Sequence, residues 1–212
     1  MNLTVLKIEN YPVASNCYVL YDKSQGNTCI LVDPGSENCD SLERTLEEHE
    51  LLPEYIILTH EHFDHIWGCN YLTNKYKCKL ICSGKCATAI KDPKRNHSLF
   101  YNQVGFVINH ADIILEDVDW KLKWRKYELD FIRAGGHTES GICFTINKYL
   151  FTGDSLIKDL KTVTKLYTGS KSALKKTIQT LESMKGHGYV VCAGHGDFFD
   201  LDDYNLNVAY GN

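Results

Sequence analysis

The sequence predicts a layered α/β protein with sheets inside and helices outside, and three observations lead there. Apolar, β-branched runs bounded by turn residues recur along the chain. Segments with apolar residues at helical spacing alternate with them in both halves. No repeat, low-complexity tract or linker breaks the pattern, so residues 1–212 are expected to form a single domain.

The elements follow in order. "LTVLKIE", "NCYVLYD" and "CILVDPG" read as three successive strands separated by turn residues. "SENCDSLERTLEEHELLP" reads as a helix with Leu42 and Leu46 on one face and Pro53 ending it. "EYIILT" is a strand, "DHIWGCNYLTNKY" a helix, "KLICS" a short strand and "GKCATAI" a short helix. Residues 91–118 carry the weakest periodicity, with "ADIILED" as a strand. "WKLKWRKYEL" alternates charge with apolar residues, as a half-exposed strand does. "YELDFIRAG", "GICFTIN" and "KYLFTGD" are strands. "SKSALKKTIQTLESM" is an amphipathic helix with Leu174, Ile178 and Leu181 on one face, and "GYVVCAGH" is a final buried strand.

Composition excludes several classes. Hydrophobic residues make up 43% and charged residues 24%, against a disordered chain. The formal net charge is −4 and no basic block occurs, so neither nucleic acid nor an anionic membrane is an expected partner. The N-terminus has no basic stretch followed by an apolar one, and no segment reaches the length of a membrane span. The expected compartment is the cytoplasm and the expected partner a small-molecule substrate; oligomeric state is left open. The nine cysteines form no evident pairs. Cys78, Cys82 and Cys86 recur every four residues, but across a change from strand to helix, so buried thiols are expected there rather than a metal cluster.

The stretch "YIILTHEHFDHIWG" places His60, His62, Asp64 and His65 within six positions after an apolar run. On a helix, residues i and i+2 point about 200° apart; in an extended segment they point the same way. His60, His62 and Asp64 are therefore expected to leave the strand end together, with His65 opening the next helix. The pattern returns: "LDFIRAGGH" ends in His137, "YLFTGD" in Asp154 and "YVVCAGH" in His195. Each is an apolar run, then glycine, then a side chain able to bind metal, and α/β folds gather sites at the carboxyl ends of strands. Seven donors exceed the roughly four that one zinc takes and suit two ions if one carboxylate bridges. Imidazoles with carboxylates suit zinc, with iron or manganese as alternatives. Asp33, in "LVDPG", also ends a strand, and is either a turn former or a residue that orients a ligand histidine.

These residues resemble the metallo-β-lactamase superfamily. Its His-x-His-x-Asp-His motif is matched by His60, His62, Asp64 and His65, the following glycine by Gly68, and its later positions by His137, Asp154 and His195. The resemblance runs from the first strands to residue 196. It implies a four-layer αββα sandwich and two metal ions, one held by His60, His62 and His137, the other by Asp64, His65 and His195, with Asp154 bridging. Two cations sharing a water lower its pKa, and the hydroxide so formed attacks a carbonyl whose oxyanion the cations stabilise. Asp64 and Asp154 are the carboxylates implied in that catalysis, Asp64 also orienting the hydroxide.

Within the superfamily the chain looks most like the glyoxalase II-like hydrolases, which cleave thioesters. "KLYTG" is similar to their Lys-x-Tyr-x-Gly stretch and offers Lys165 and Tyr167 as substrate-binding residues. The departure lies after His195, where the acidic "GHGDFFDLDDYNLN" follows and no helical C-terminal domain is expected. The expectation is a dinuclear hydrolase of a small thioester or ester. The alternative is an oxidoreductase similar to persulfide dioxygenases, with one iron held by two histidines and an aspartate. A non-catalytic, metal-stabilised scaffold is the remaining class; every expected ligand being present argues against it.

Overall fold

The computed structural model describes residues 3–116 and 120–211. Asp117, the last residue of the expected strand "ADIILED", lies outside them. The chain falls into two compact units, one ending at Leu115 and the other beginning at Glu116.

The first unit is a six-stranded mixed sheet. Its strands are β1 (Thr4–Glu9), β2 (Asn16–Tyr21), β3 (Thr28–Val32), β4 (Leu52–Ile57), β5 (Lys79–Ser83) and β6 (Ile113–Leu115), neighbours in that order. β1 to β3 run antiparallel, as short turns allow. β3 to β6 run parallel, and parallel neighbours need crossovers. These are supplied by α1 (Asp40–Glu48), then α2 (Phe63–Ile66) and α3 (Cys69–Tyr76), then α4 (Gly84–Ala89) and α5 (Ser98–Asn102). Leu42 and Leu46 of α1 and Leu72 of α3 pack with Val19, Leu31, Ile56 and Leu80 of the sheet. Every residue of β2 is buried, on both faces of the strand.

Two expectations for this unit are corrected. α1 does not run to Pro53: it ends at Glu48, Glu50 turns left-handed at φ 49°, and Pro53 is the second residue of β4, an early strand position that tolerates its missing N–H. "DHIWGCNYLTNKY" is two helices, broken at Gly68, whose N–H donates to Pro34 O at 2.9 Å. A Cβ at Gly68 would fall 2.7 Å from Cys39 Sγ, so the chain turns there at a point of close packing.

The second unit is another six-stranded mixed sheet, ordered β12-β11-β10-β9-β8-β7. The strands are β7 (Lys121–Trp124), β8 (Tyr127–Arg133), β9 (Ile142–Ile146), β10 (Tyr149–Gly153), β11 (Val190–Ala193) and β12 (Phe199–Asp200). Among the described residues of this unit only β10 and β11 are parallel, and α6 (Lys171–Ser183) crosses between them. Ser170 caps α6, its Oγ accepting from Ala173 N at 3.2 Å, and Leu174, Ile178 and Leu181 bury the expected face against Leu150 and Val191. "WKLKWRKYEL" is not one strand but a hairpin, because Arg125 takes a left-handed conformation (φ 57°) between β7 and β8. The acidic tail forms β12 on the edge of β11, and Asp202 accepts from the N–H groups of Gly186 and Gly188. No helix among the described residues is long and apolar enough to cross a membrane.

Candidate metal centre

In the first unit the site begins where β4 ends. His62 is extended (φ −63°, ψ 143°) and caps α2, so Asp64 and His65 lie on that helix's first turn. The three histidines converge: the His60 ring centroid stands 4.7 Å from that of His62 and 4.3 Å from that of His65. All three rings are buried, and so are their Nε2 atoms.

Asp33 organises this cluster. Its backbone bends left-handed (φ 50°) at the end of β3 and aims the carboxylate at the end of β4. Oδ1 accepts from Thr59 N at 2.8 Å, and Oδ2 accepts from Thr59 Oγ1 at 2.6 Å. The Thr59 hydroxyl proton is thus committed, so at 3.0 Å Thr59 Oγ1 accepts from His60 Nδ1. Asp33 Oδ2 also accepts from His65 Nδ1 at 3.1 Å. Both imidazoles therefore carry hydrogen on Nδ1 and present the Nε2 lone pair, the state in which histidine binds metal. Asp33, His60 and His65 form one group of ligand atoms within 4.8 Å of one another. Asp33 is already engaged by three donors, so it holds ligands in place rather than serving as one.

Asp64 is fixed through its backbone. Ser15 Oγ donates to its carbonyl, and a Cβ at Gly35 would lie 1.5 Å from that same oxygen, so only glycine lets the chain approach. Asp64 Oδ2 stands 3.5 Å from His65 Nε2.

In the second unit, His137 follows Gly135 and Gly136 at the end of β8. Its Nδ1 donates to Val163 O at 2.9 Å, which again turns Nε2 to the ligand side. Asp154 follows Gly153 at the end of β10, and His195 follows Gly194 at the end of β11. Asp154 Oδ2 lies 3.5 Å from His137 Nε2 and 3.5 Å from His195 Nε2.

Those 3.5 Å spacings exceed an ordinary N–H···O hydrogen bond of about 2.7–3.2 Å. Two donors each about 2.1 Å from one tetrahedral ion stand about 3.4 Å apart, so the spacing suits donors that share a cation. The donor chemistry agrees: imidazole and carboxylate, with no thiolate. All nine cysteines are buried free thiols. Burial pushes the Cys39 and Cys78 thiols up to about 11, and raises those of Cys29, Cys86 and Cys192 as well. Cys78, Cys82 and Cys86 are thus packed thiols, as expected.

The segment 161–170 is fastened to the His137 turn. Besides the Val163 bond, Ser170 N donates to Gly136 O at 2.8 Å and Glu139 N donates to Thr168 Oγ1 at 3.1 Å. Lys165 and Tyr167 lie on this segment, both exposed, Tyr167 to 64%. Two contributors escaped sequence reading. Val163 acts through its carbonyl, which no side-chain pattern reports. His97 packs edge-on to His62 with centroids 4.5 Å apart, but sits in the weakly periodic stretch 91–118.

Residues 10–195 match the model of the metallo-β-lactamase superfamily. An uncharacterized protein of Mycobacterium leprae (strain TN) is 29% identical over 189 residues, 86% of each chain. Among solved structures, the BLEG-1 B3 metallo-β-lactamase is 24% identical with a TM-score of 0.87, covering 97% of this chain and 99% of that one. TTHA1623 in a di-iron-bound form is 19% identical with a TM-score of 0.76, covering 92% and 94%.

Proposed function

Because the chain belongs to the metallo-β-lactamase superfamily and has its fold, we propose that it is a dinuclear metal-dependent hydrolase that cleaves a small thioester or ester, in the manner of glyoxalase II-like enzymes. The observation that carries this reading is the donor geometry. Nδ1 of His60, His65 and His137 is committed to an oxygen of the protein, and Nε2 of His65, His137 and His195 stands 3.5 Å from a carboxylate oxygen. The family arrangement assigns His60, His62 and His137 to one ion, Asp64, His65 and His195 to the other, and Asp154 to both. Zinc suits these donors, and the di-iron form of TTHA1623 makes iron the first metal to compare.

When bound, divalent cations supply Lewis-acid polarisation of a carbonyl and activation of water near neutral pH. The rest falls to the chain. Asp64 orients the attacking water and takes its proton. Asp33 keeps His60 and His65 in the binding tautomer throughout the cycle. Lys165 and Tyr167 meet polar groups of the substrate from the segment that also holds His137. A thiol nucleophile is disfavoured, because all nine cysteines are buried, and burial raises the pKa of Cys86 and Cys192 away from the thiolate. A cytoplasmic small-molecule substrate is part of the same reading.

The test combines metal content by elemental mass spectrometry with a thioester panel that starts from S-lactoylglutathione. Two metal equivalents and chelator-sensitive hydrolysis are expected. A fully loaded protein that cleaves no thioester or ester would overturn the proposal. One iron per chain with oxygen consumption on a persulfide would replace it by the dioxygenase reading.

A further inference from the structure

The stretch "SLFYNQVGFV", residues 98–107, has no charged residue in ten positions, although "KDPKR" stands just before it. It exposes large apolar side chains: Phe100 is 70% exposed, Val104 81% and Tyr101 45%. Solvent-facing apolar groups gathered in one place usually mark a binding surface.

Phe100 and Tyr101 are continuous with the metal-ligand motif. The His97 ring lies edge-on to His62 at 4.5 Å and 5.8 Å from the Phe100 ring. Tyr101 stacks on Phe63 at 4.6 Å, one residue beyond His62, and Phe63 packs against Trp67 at 5.9 Å. The surface is also held in shape. His97 and Gln103 are left-handed (φ 66° and 63°) at the two ends of α5, a conformation that non-glycine residues keep only when their surroundings impose it. Phe63 N donates to Asn96 O at 2.8 Å, Asn96 Nδ2 to Phe106 O at 2.8 Å, and Phe106 N to Ser98 Oγ at 2.9 Å. The chain therefore spends ordered backbone and two strained residues on presenting rings to solvent beside His62.

We propose that His97, Phe100, Tyr101 and Val104 form an apolar platform that seats the aliphatic acyl chain of the substrate, running outward from the His62 side of the metal centre. This deepens the hydrolase reading and rests on it. With no charge within the stretch, the surface is unsuited to an anionic group such as a peptide carboxylate. A hydrocarbon chain gains by covering it, and each methylene that leaves water adds to binding.

The experiment titrates the metal-loaded protein with straight-chain carboxylates of four to ten carbons by calorimetry, in the wild type, Phe100→Ser and Leu52→Ser. Leu52 is 53% exposed and belongs to β4, so its variant controls for the loss of any exposed apolar residue. Affinity is expected to rise about two- to fourfold per added methylene in the wild type and in Leu52→Ser, and to rise far less in Phe100→Ser. A flat chain-length series, or one that Phe100→Ser leaves unchanged, overturns the platform. A retained, Phe100-dependent series in a protein that hydrolyses no ester or thioester upholds the platform and refutes the hydrolase reading instead.

Discussion

Asp33 and His65, thirty-two residues apart, meet at 3.1 Å, the carboxylate Oδ2 accepting from the imidazole Nδ1. The same carboxylate steers His60 through the Thr59 hydroxyl. One residue thus sets the tautomer of two ligands. Asp33→Asn preserves the shape but replaces one acceptor oxygen with an NH2 donor. Metal affinity should fall about 10- to 100-fold while the fold persists, measured by chelator competition alongside circular dichroism. Unchanged affinity would mean that Asp33 is only a turn former.

Asp154 has a comparable place in the second unit, its Oδ2 standing 3.5 Å from both His137 and His195. If it bridges as the proposed family arrangement assigns, it should be needed for both ions. Asp154→Ala is expected to lose metal and hydrolysis together, read by elemental mass spectrometry and the thioester assay. Full occupancy of both metals in this variant would refute the bridge.

What could be read from the sequence follows from which forces are local. The strand ends carrying His137, Asp154 and His195 were legible because an apolar run, a glycine and a metal-binding side chain follow one another directly, and that of His60 because an apolar run leads straight into clustered histidines. The break at Gly68 was not, because it depends on Cys39 and Pro34, neither of them a sequence neighbour. The hairpin in "WKLKWRKYEL" was hidden because Arg125 adopts a left-handed turn that its side chain does not advertise. Asp33 was readable as a turn former or as a residue that orients a ligand histidine, but its three acceptor bonds needed the register of β3 against β4.

Gly136 holds the turn before His137 at φ 144°, and a Cβ there would lie 2.6 Å from Leu174 Cα on α6. Gly136→Ala combines backbone strain with a clash that no rotamer relieves. It should cost at least about 2 kcal/mol in urea unfolding. Gly188→Ala is the control: φ is 69° but no atom lies within 4 Å, so the cost should be about 1 kcal/mol. Equal losses at the two positions would show that packing against Leu174 adds nothing.

The buried thiols make stability depend on pH at the alkaline end. Desolvation holds Cys39 and Cys78 protonated up to about 11 in the folded chain, against an ordinary value of 9.0. Between those limits the unfolded chain has released protons that the folded chain still binds. Stability therefore falls as pH rises from about 9 to 11, and the contribution is fully present below 9. Urea midpoints at pH 8, 9 and 10 should decrease in that order, and Cys39→Ala with Cys78→Ala should flatten the decline. The same burial predicts that Ellman's reagent at pH 8 labels fewer than one of the nine thiols in the native protein and all nine after denaturation. Rapid native labelling of several thiols would mean that the first unit opens readily, because Cys17, Cys29, Cys39, Cys69, Cys78, Cys82 and Cys86 all lie in its core.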